Sequence, residues 1–514
     1  MTLAVLITGA TGYVGRHLAA RLLTDGYDVH ALVRGTAPRA RMEEALRPFG
    51  LAAATLARLH AWPGALASEA GVADSTREAL RAARCRALIH SAGLTRFDAH
   101  LAASLHQHNV IGTQTAHALA RELRIPQFHH LGTAYVQGLA THSLGADEIT
   151  FGQAFRNPYE ASKHAAECWL RAQALAPGES QVIYRPAIVV GGHALGAGQS
   201  VSTLYTFIKA MHFVRQCCAR DLERGRGAFA RLGATQTGGR LRLPFRVAAQ
   251  ATASIDLVGI TDVVDAISSR LRMNLSGRAG VLLPGTPHAL SEIARVMADV
   301  LRIEGLELVP VEDFARVPAN ALESHFARMT RVYTPYLFGR VPFGTAKVPA
   351  RPVDLRQMMT RFLAELTGSL SAEGKGALGN LALDSLGVHS PEAYFEALVE
   401  GQVGREFMRR HAYVDARIAF ELEGVAATRA CLHFAHGRVQ RLPDELADSL
   451  LDCRYRLDSA LFMGVVSGMQ DLRTAFLSGK VRITGNKELA LKFGALLGGY
   501  YQHLPEHLAT EMTT

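Results

Sequence analysis

Apolar residues in the first two hundred positions fall into short runs separated by polar turns. Leu3-Ala4-Val5-Leu6-Ile7 is unbroken, the pattern of a strand buried on both faces. Leu18, Leu22 and Leu23 carry helical spacing and predict a helix over 15–25. Further strands are predicted at 28–33, 87–91, 127–131 and 181–190, with an amphipathic helix over 109–124. Strands alternating with helices imply parallel pairing and right-handed crossovers. The expected class is α/β, a doubly wound parallel sheet of the Rossmann type.

The rhythm breaks near residue 196. A helix is predicted over 201–224, and Ile255-Asp256-Leu257-Val258 reads as a short strand running into another helix. The intervals 196–250 and 280–365 form an expected substrate lobe, so the first domain is read as 1–367. Gly, Ser and Ala concentrate near 368–384, as in a linker. Beyond it, Ile418, Phe420 and Leu422 alternate with polar residues, as do Ala430, Leu432 and Phe434. These are antiparallel-strand patterns, with more strands at 453–457 and 481–484 and helices at 391–400, 459–467 and 487–497. Residues 385–514 thus read as a small α+β domain.

A chain of 514 residues exceeds one ordinary core. Its hydrophobic fraction of 48% and charged fraction of 20% suit a soluble protein. No apolar run reaches the roughly 20 residues that span a bilayer, so membrane contact is expected to be peripheral only. The opening residues already form a strand and lack a signal-peptide pattern, which makes a cytoplasmic location the expectation. The six cysteines show no metal-ligand spacing, and no metal site is expected. A net charge of +9 favours anionic ligands such as a phosphorylated cofactor or a coenzyme A thioester. No recognition motif accompanies the charge, so nucleic acid is not an expected partner.

The segment Thr8-Gly9-Ala10-Thr11-Gly12-Tyr13-Val14-Gly15 joins the first strand to the first helix. Gly9 permits a tight turn, Gly12 lets backbone approach a pyrophosphate, and Gly15 lets helix and strand pack closely. Thr8, Thr11, Tyr13 and Val14 frame the same loop. The second strand ends in Arg34, where a cofactor without a 2′-phosphate would call for an acidic residue. Arginine there, with Arg39 or Arg41 nearby, selects NADPH. Tyr159 and Lys163 lie four apart and share a helix face. A nearby ammonium is expected to lower the phenol pKa and make it a usable acid. Thr133, at the end of a strand, is placed to hydrogen-bond the reacting oxygen.

These residues resemble the extended short-chain dehydrogenase/reductase family over roughly 1–365. Asn109-Val110-Ile111-Gly112-Thr113 and Tyr184-Arg185-Pro186-Ala187-Ile188 belong to the same match. Within it, His90-Ser91-Ala92-Gly93, Arg96-Phe97-Asp98, Gly132-Thr133-Ala134-Tyr135 and Pro335-Tyr336-Leu337 look most like fatty acyl-CoA reductases and thioester-reductase domains. The resemblance implies a catalytic set of Thr133, Tyr159 and Lys163, with Asn109 ordering the lysine and a water. It places Ser91, Ala92, Gly93, Pro186 and Ile188 against the cofactor. Leu66, in Gly64-Ala65-Leu66, stands where the family often has an aspartate facing the adenine. Gly259 and Thr261 also depart from the reductase pattern. Separately, the stretch 475–493 is similar to the end of sterol-carrier-protein-2-like domains, which hold acyl chains or sterols in an apolar tunnel.

The resulting expectation is an NADPH-dependent reductase of a lipophilic acyl thioester, on coenzyme A or a carrier protein, with a lipid-carrier domain. A hydroxysteroid or β-hydroxyacyl dehydrogenase is the alternative within the family. A lipid-transfer protein that only senses NADPH is the alternative from another class.

Overall fold

The computed structural model describes residues 3–67, 71–193, 203–223, 230–273, 275–344, 350–369, 388–401, 403, 408, 414–424, 427–467, 470, 472–486, 489, 490 and 493. The chain divides into two units, Met1–Glu365 and Leu366–Thr514. The helix Leu355–Ser369 enters the interval read as a linker, and the rest of 368–384 lies outside the described residues. Of the expected helix over 487–497, only 489, 490 and 493 are described.

Strands β1 (Ala4–Thr8), β2 (Asp28–Val33), β3 (Leu59–Pro63), β4 (Ala87–His90), β5 (Gln127–Leu131) and β6 (Ser180–Pro186) belong to one seven-stranded sheet, completed by Gly277–Leu283. The spatial order is 277–283, β6, β5, β4, β1, β2, β3, and every pairing is parallel. Residues 280–283, read from the sequence as lobe, therefore belong to the sheet. Alternation along β1 sends neighbours to opposite faces. Val5 and Ile7 pack with Leu18 and Leu22 of helix α1 (Tyr13–Thr24), while Leu6 joins Leu88, Leu119 and Leu123 on the other side. The strand order reverses between β1 and β4, which opens a crevice at their carboxyl ends. Thr8 is in register with His90 there.

The single strand read over 181–190 is two. After Ala187 the chain leaves the main sheet, and Ile188–Val190 pairs with Ser254–Gly259, itself antiparallel to Thr286–Ala289. A third sheet joins Thr235–Thr237, Arg240–Ala248 and Ile303–Val309. The sequence reading missed it, although Leu241, Leu243 and Phe245 alternate inward between exposed arginines.

The C-terminal unit holds a five-stranded sheet, in the order 438–442, 428–435, 416–423, 453–458, 481–485. Its central pair, 416–423 with 453–458, is parallel and the rest are antiparallel. Helices Pro391–Val399 and Ser459–Val466 cover it. Phe395, Phe420, Phe434 and Phe462 fill the interior, each no more than 1% exposed.

Candidate active site

The crevice between β1 and β4 is built by glycine. Gly9 adopts φ +71°, and a Cβ there would lie 2.5 Å from the backbone nitrogen of Ala92. The turn after β1 is thereby pressed against the Ser91-Ala92-Gly93 turn after β4. A Cβ on Gly15 would lie 2.1 Å from the Gly9 carbonyl oxygen, so α1 packs directly on the turn. Gly12 differs: its Cβ would meet only the Gly9 oxygen, at 3.0 Å. That open face is the cradle a phosphate needs. Gly12 caps α1 without a side chain, leaving the first-turn N–H groups to an anion. Thr11 lies in the turn, and Val14 packs into the core below it. Tyr13 donates its hydroxyl hydrogen to the Gly191 carbonyl at 2.6 Å, tying the loop to the end of 188–190. The residues present fit a dinucleotide.

Of the three arginines near β2, two are engaged. Arg39 bonds Glu43 and the carbonyls of Leu56 and Leu59, and Arg41 donates to the Arg34 carbonyl. The exposed Arg34 side chain has no hydrogen bond or ion pair with the described residues. Leu66 packs half-buried against the core.

Helix Pro158–Ala172 carries Tyr159 and Lys163. Asn157 caps it, accepting the Glu160 N–H at 3.1 Å, while Glu160 reaches back to the Arg156 N–H at 3.1 Å. This reciprocal cap explains why the helix starts where it does. Lys163 is buried, and its Nζ donates to the Leu131 carbonyl at 2.9 Å. Thr133 follows β5, donating to the Pro186 carbonyl at 3.3 Å and facing the Tyr159 phenol. Thr133, Tyr159, Lys163 and Pro186 thus converge at the carboxyl ends of β5 and β6. Ile188 begins the strand that follows Pro186.

Asn109 sits in a π-helical turn, His106–Ile111, where the predicted helix is locally widened. Its carboxamide accepts from the Leu94 N–H at 2.7 Å and donates to the Leu94 carbonyl and to Ser162 Oγ. It bonds the helix Pro158–Ala172 at Ser162. A Cβ on Gly93 would lie 3.0 Å from Asn109 Oδ1 and 3.4 Å from Lys163 Nζ, so the carboxamide and the ammonium face the same small space. Behind it runs a directed chain. Thr113 donates to the Asn109 carbonyl at 2.6 Å, so it must accept from His90 Nε2 at 3.1 Å. His90 Nδ1 then accepts from Thr8 at 2.8 Å. Burial pulls the His90 pKa down to about 3, which keeps this tautomer neutral.

Burial, followed by the Glu160 charge, raises the Tyr159 phenol pKa, while Thr133 pulls the other way. This corrects the expectation of a lowered phenol pKa: burial is the largest influence and the Glu160 charge adds to it, so the shift is upward. Burial also lowers Lys163 to about 8, opposed by Glu167.

Sequence reasoning missed most of the surroundings. Phe97 stacks on Tyr159 with centroids 5.3 Å apart, and Tyr333 meets Phe97 edge-on at 5.0 Å. Tyr336 bonds Asn157 and Glu160. Phe97 and Tyr336 lie in stretches that carried the family resemblance, but nothing in the sequence placed them against Tyr159 and Glu160. In the C-terminal unit, an open cavity of about 600 Å³ is lined by Glu423, Arg456, Asp458, Leu461, Lys480 and Arg482. Among the described residues no helix is long and apolar enough to cross a membrane.

Residues 7–223 match the family described as male sterility protein, and residues 405–498 match the SCP-2 sterol transfer family. A 4-hydroxy-2-methyl-3-oxo-4-farnesyl-3,4-dihydroquinoline-1-oxide ketoreductase of Stigmatella aurantiaca is 34% identical over 190 residues, 36% of this chain and 50% of that protein. A 2-alkyl-3-oxoalkanoate reductase of Stenotrophomonas maltophilia is 31% identical over 171 residues, 32% of this chain and 44% of that protein. The chain spans about half the length of these curated relatives. The terminal R domain from the myxalamid PKS-NRPS biosynthetic pathway shares the fold, with a TM-score of 0.54 and 19% identity, covering 71% of this chain and 91% of that one.

Proposed function

We propose that this chain, an oxidoreductase of the extended short-chain dehydrogenase/reductase type joined to an SCP-2 domain, reduces a lipophilic acyl thioester with NADPH. One observation carries the reading: Thr133, Tyr159 and Lys163 converge beside a glycine crevice, behind an aromatic wall of Phe97 and Tyr333. The bound dinucleotide supplies a hydride to the substrate carbonyl carbon. Tyr159 gives its phenolic proton to the carbonyl oxygen, and Thr133 hydrogen-bonds the same oxygen as charge develops. A protonated, buried phenol suits that direction of transfer. Lys163 holds the ribose hydroxyls, and Asn109 braces the helix through Ser162. The first-turn N–H groups of α1 would hold the pyrophosphate, and Arg34 would hold the 2′-phosphate. For a thioester, the hemithioacetal expels the thiol and leaves an aldehyde. A second NADPH would supply the hydride that takes the aldehyde to the alcohol, with Tyr159 again giving the proton.

Reduction of a ketone is the second reading, favoured by the two curated relatives, both named for the reduction of oxo compounds. The SCP-2 domain presents or removes a water-insoluble chain, and tethering makes that exchange intramolecular. NADPH consumption with a long-chain acyl-CoA, a fatty aldehyde and a 3-ketosteroid, assayed side by side, tests these readings. Consumption with the acyl-CoA supports thioester reduction. Consumption with the ketosteroid alone replaces it with the ketone reading. Tyr159→Phe is expected to abolish turnover, and unchanged turnover overturns the catalytic assignment.

A further inference from the structure

Glu160 is fully buried directly beside Tyr159, and the mechanism above does not use it. A buried carboxylate costs several kcal/mol unless it is well partnered. Its partners come from both sides of the site. Tyr336, which is 176 residues away, donates its phenolic hydrogen to Glu160 Oε1 at 2.6 Å. The same hydroxyl accepts from Asn157 Nδ2 at 2.7 Å, the residue that caps the catalytic helix. The Arg156 guanidinium lies 3.5 Å from Glu160 and 5.7 Å from the Tyr336 ring centre. Tyr336 also meets Tyr135, two residues past Thr133, edge-on at 5.4 Å, and Phe97 at 5.8 Å. One side chain from the 331–337 turn therefore touches the turns after β4 and β5 and the start of the catalytic helix.

We propose that Tyr336 and Glu160 are a positioning pair that locks the 331–337 turn of the substrate lobe onto the catalytic helix and holds Tyr159 in place for proton donation. The proposal rests on the reductase reading for its kinetic consequence, but not for its structural one. Glu160 faces Arg156 and Tyr159 from its own segment, Tyr336 from the lobe and Tyr135 from the turn after β5, with Asp256 beyond Tyr135. Its charge is one of the two influences that hold the Tyr159 proton on.

The test uses the full chain, with Tyr336→Phe, Glu160→Gln and the double variant. Tyr336→Phe keeps the ring and removes only the hydroxyl. It is expected to lower kcat roughly tenfold, the size of one lost hydrogen bond to a charged group, with KM for NADPH unchanged. Glutamine carries no charge to be stabilised, so the double variant is expected to lose no more than Tyr336→Phe alone. Ultraviolet difference titration against Tyr159→Phe reads the Tyr159 phenol without any substrate. In Glu160→Gln that phenol is expected to ionise at lower pH than in the parent. Unchanged kcat in Tyr336→Phe, additive losses in the double variant, or an unmoved titration each overturn the pair. A shifted titration in a protein that turns over neither thioester nor ketone overturns the reductase reading and leaves the pair standing.

Discussion

Arg185 Nη2 lies 2.6 Å from Glu167 Oε1, with the two side chains 1% and 0% exposed. Arg185 also donates to the carbonyls of Gly145 and Glu148, and Arg171 bonds Glu167 and the carbonyls of Ala146 and Asp147. The pair clamps the 145–148 segment to the catalytic helix, four residues beyond Lys163. Removing one partner strands a buried charge. Glu167→Ala is expected to cost about 3–5 kcal/mol in a denaturant titration of the N-terminal unit's transition. A loss below about 1 kcal/mol shows that the site admits water.

Lys163 is expected to set the upper pH limit. Its pKa is lowered to about 8 from the ordinary lysine value because burial disfavours the ammonium. The charge is present below that pH and lost above it. If the ammonium holds the cofactor, kcat/KM for NADPH falls as pH rises through about 8. Lys163→Arg keeps its charge across this range, so it is expected to be slower at neutral pH and to lack the alkaline limb. An alkaline limb that survives in Lys163→Arg assigns it to another group.

Among the described residues, Arg34 at the end of β2 has no side-chain hydrogen bond or ion pair. Arg34→Ala is expected to weaken NADPH binding roughly 10–100-fold, the loss of one charged hydrogen-bonding contact, and to leave NADH binding unchanged. Fluorescence titration with both cofactors decides it. Equal losses for the two refute a 2′-phosphate role.

The glycines separate folding from binding. A Cβ on Gly15 collides with the Gly9 carbonyl oxygen, so Gly15→Ala is expected to destabilise the unit by about 1–3 kcal/mol. Gly12→Ala meets one atom, the Gly9 backbone oxygen, at a tight 3.0 Å, and is expected to lose less stability than Gly15→Ala while losing cofactor affinity. Thermal melts paired with NADPH titration check both. A Gly12→Ala protein that binds NADPH normally rules out the phosphate cradle.

Local physics made much of the fold legible. The unbroken apolar run at 3–7 and the glycines that follow it demand a buried strand turning tightly into a helix. Alternation at 418–422 and 430–434 demands strands with one face in a core. Tyr159 and Lys163 share a helix face because their spacing is close to one helical turn. The third small sheet escaped notice because arginine and proline interrupt Arg240–Ala248, and its pairing partners, 235–237 and 303–309, become visible only in the fold. The break at Ala187 also escaped, since 188–190 changes sheets only because 254–259 is there to receive it.

The sequence alone determined the nucleotide crevice, the residues grouped at the acid and the attached α+β domain, since these follow from short-range spacing and backbone sterics. Tertiary structure alone decided the state of those groups. Desolvation keeps the proton on Tyr159 and weakens Lys163, and Ser162 relays Asn109 to the helix. Tyr336, distant in the chain, closes over Glu160. Burial and long-range contact set pKa values and hydrogen-bond partners, and neither is written in the spacing of residues along a chain.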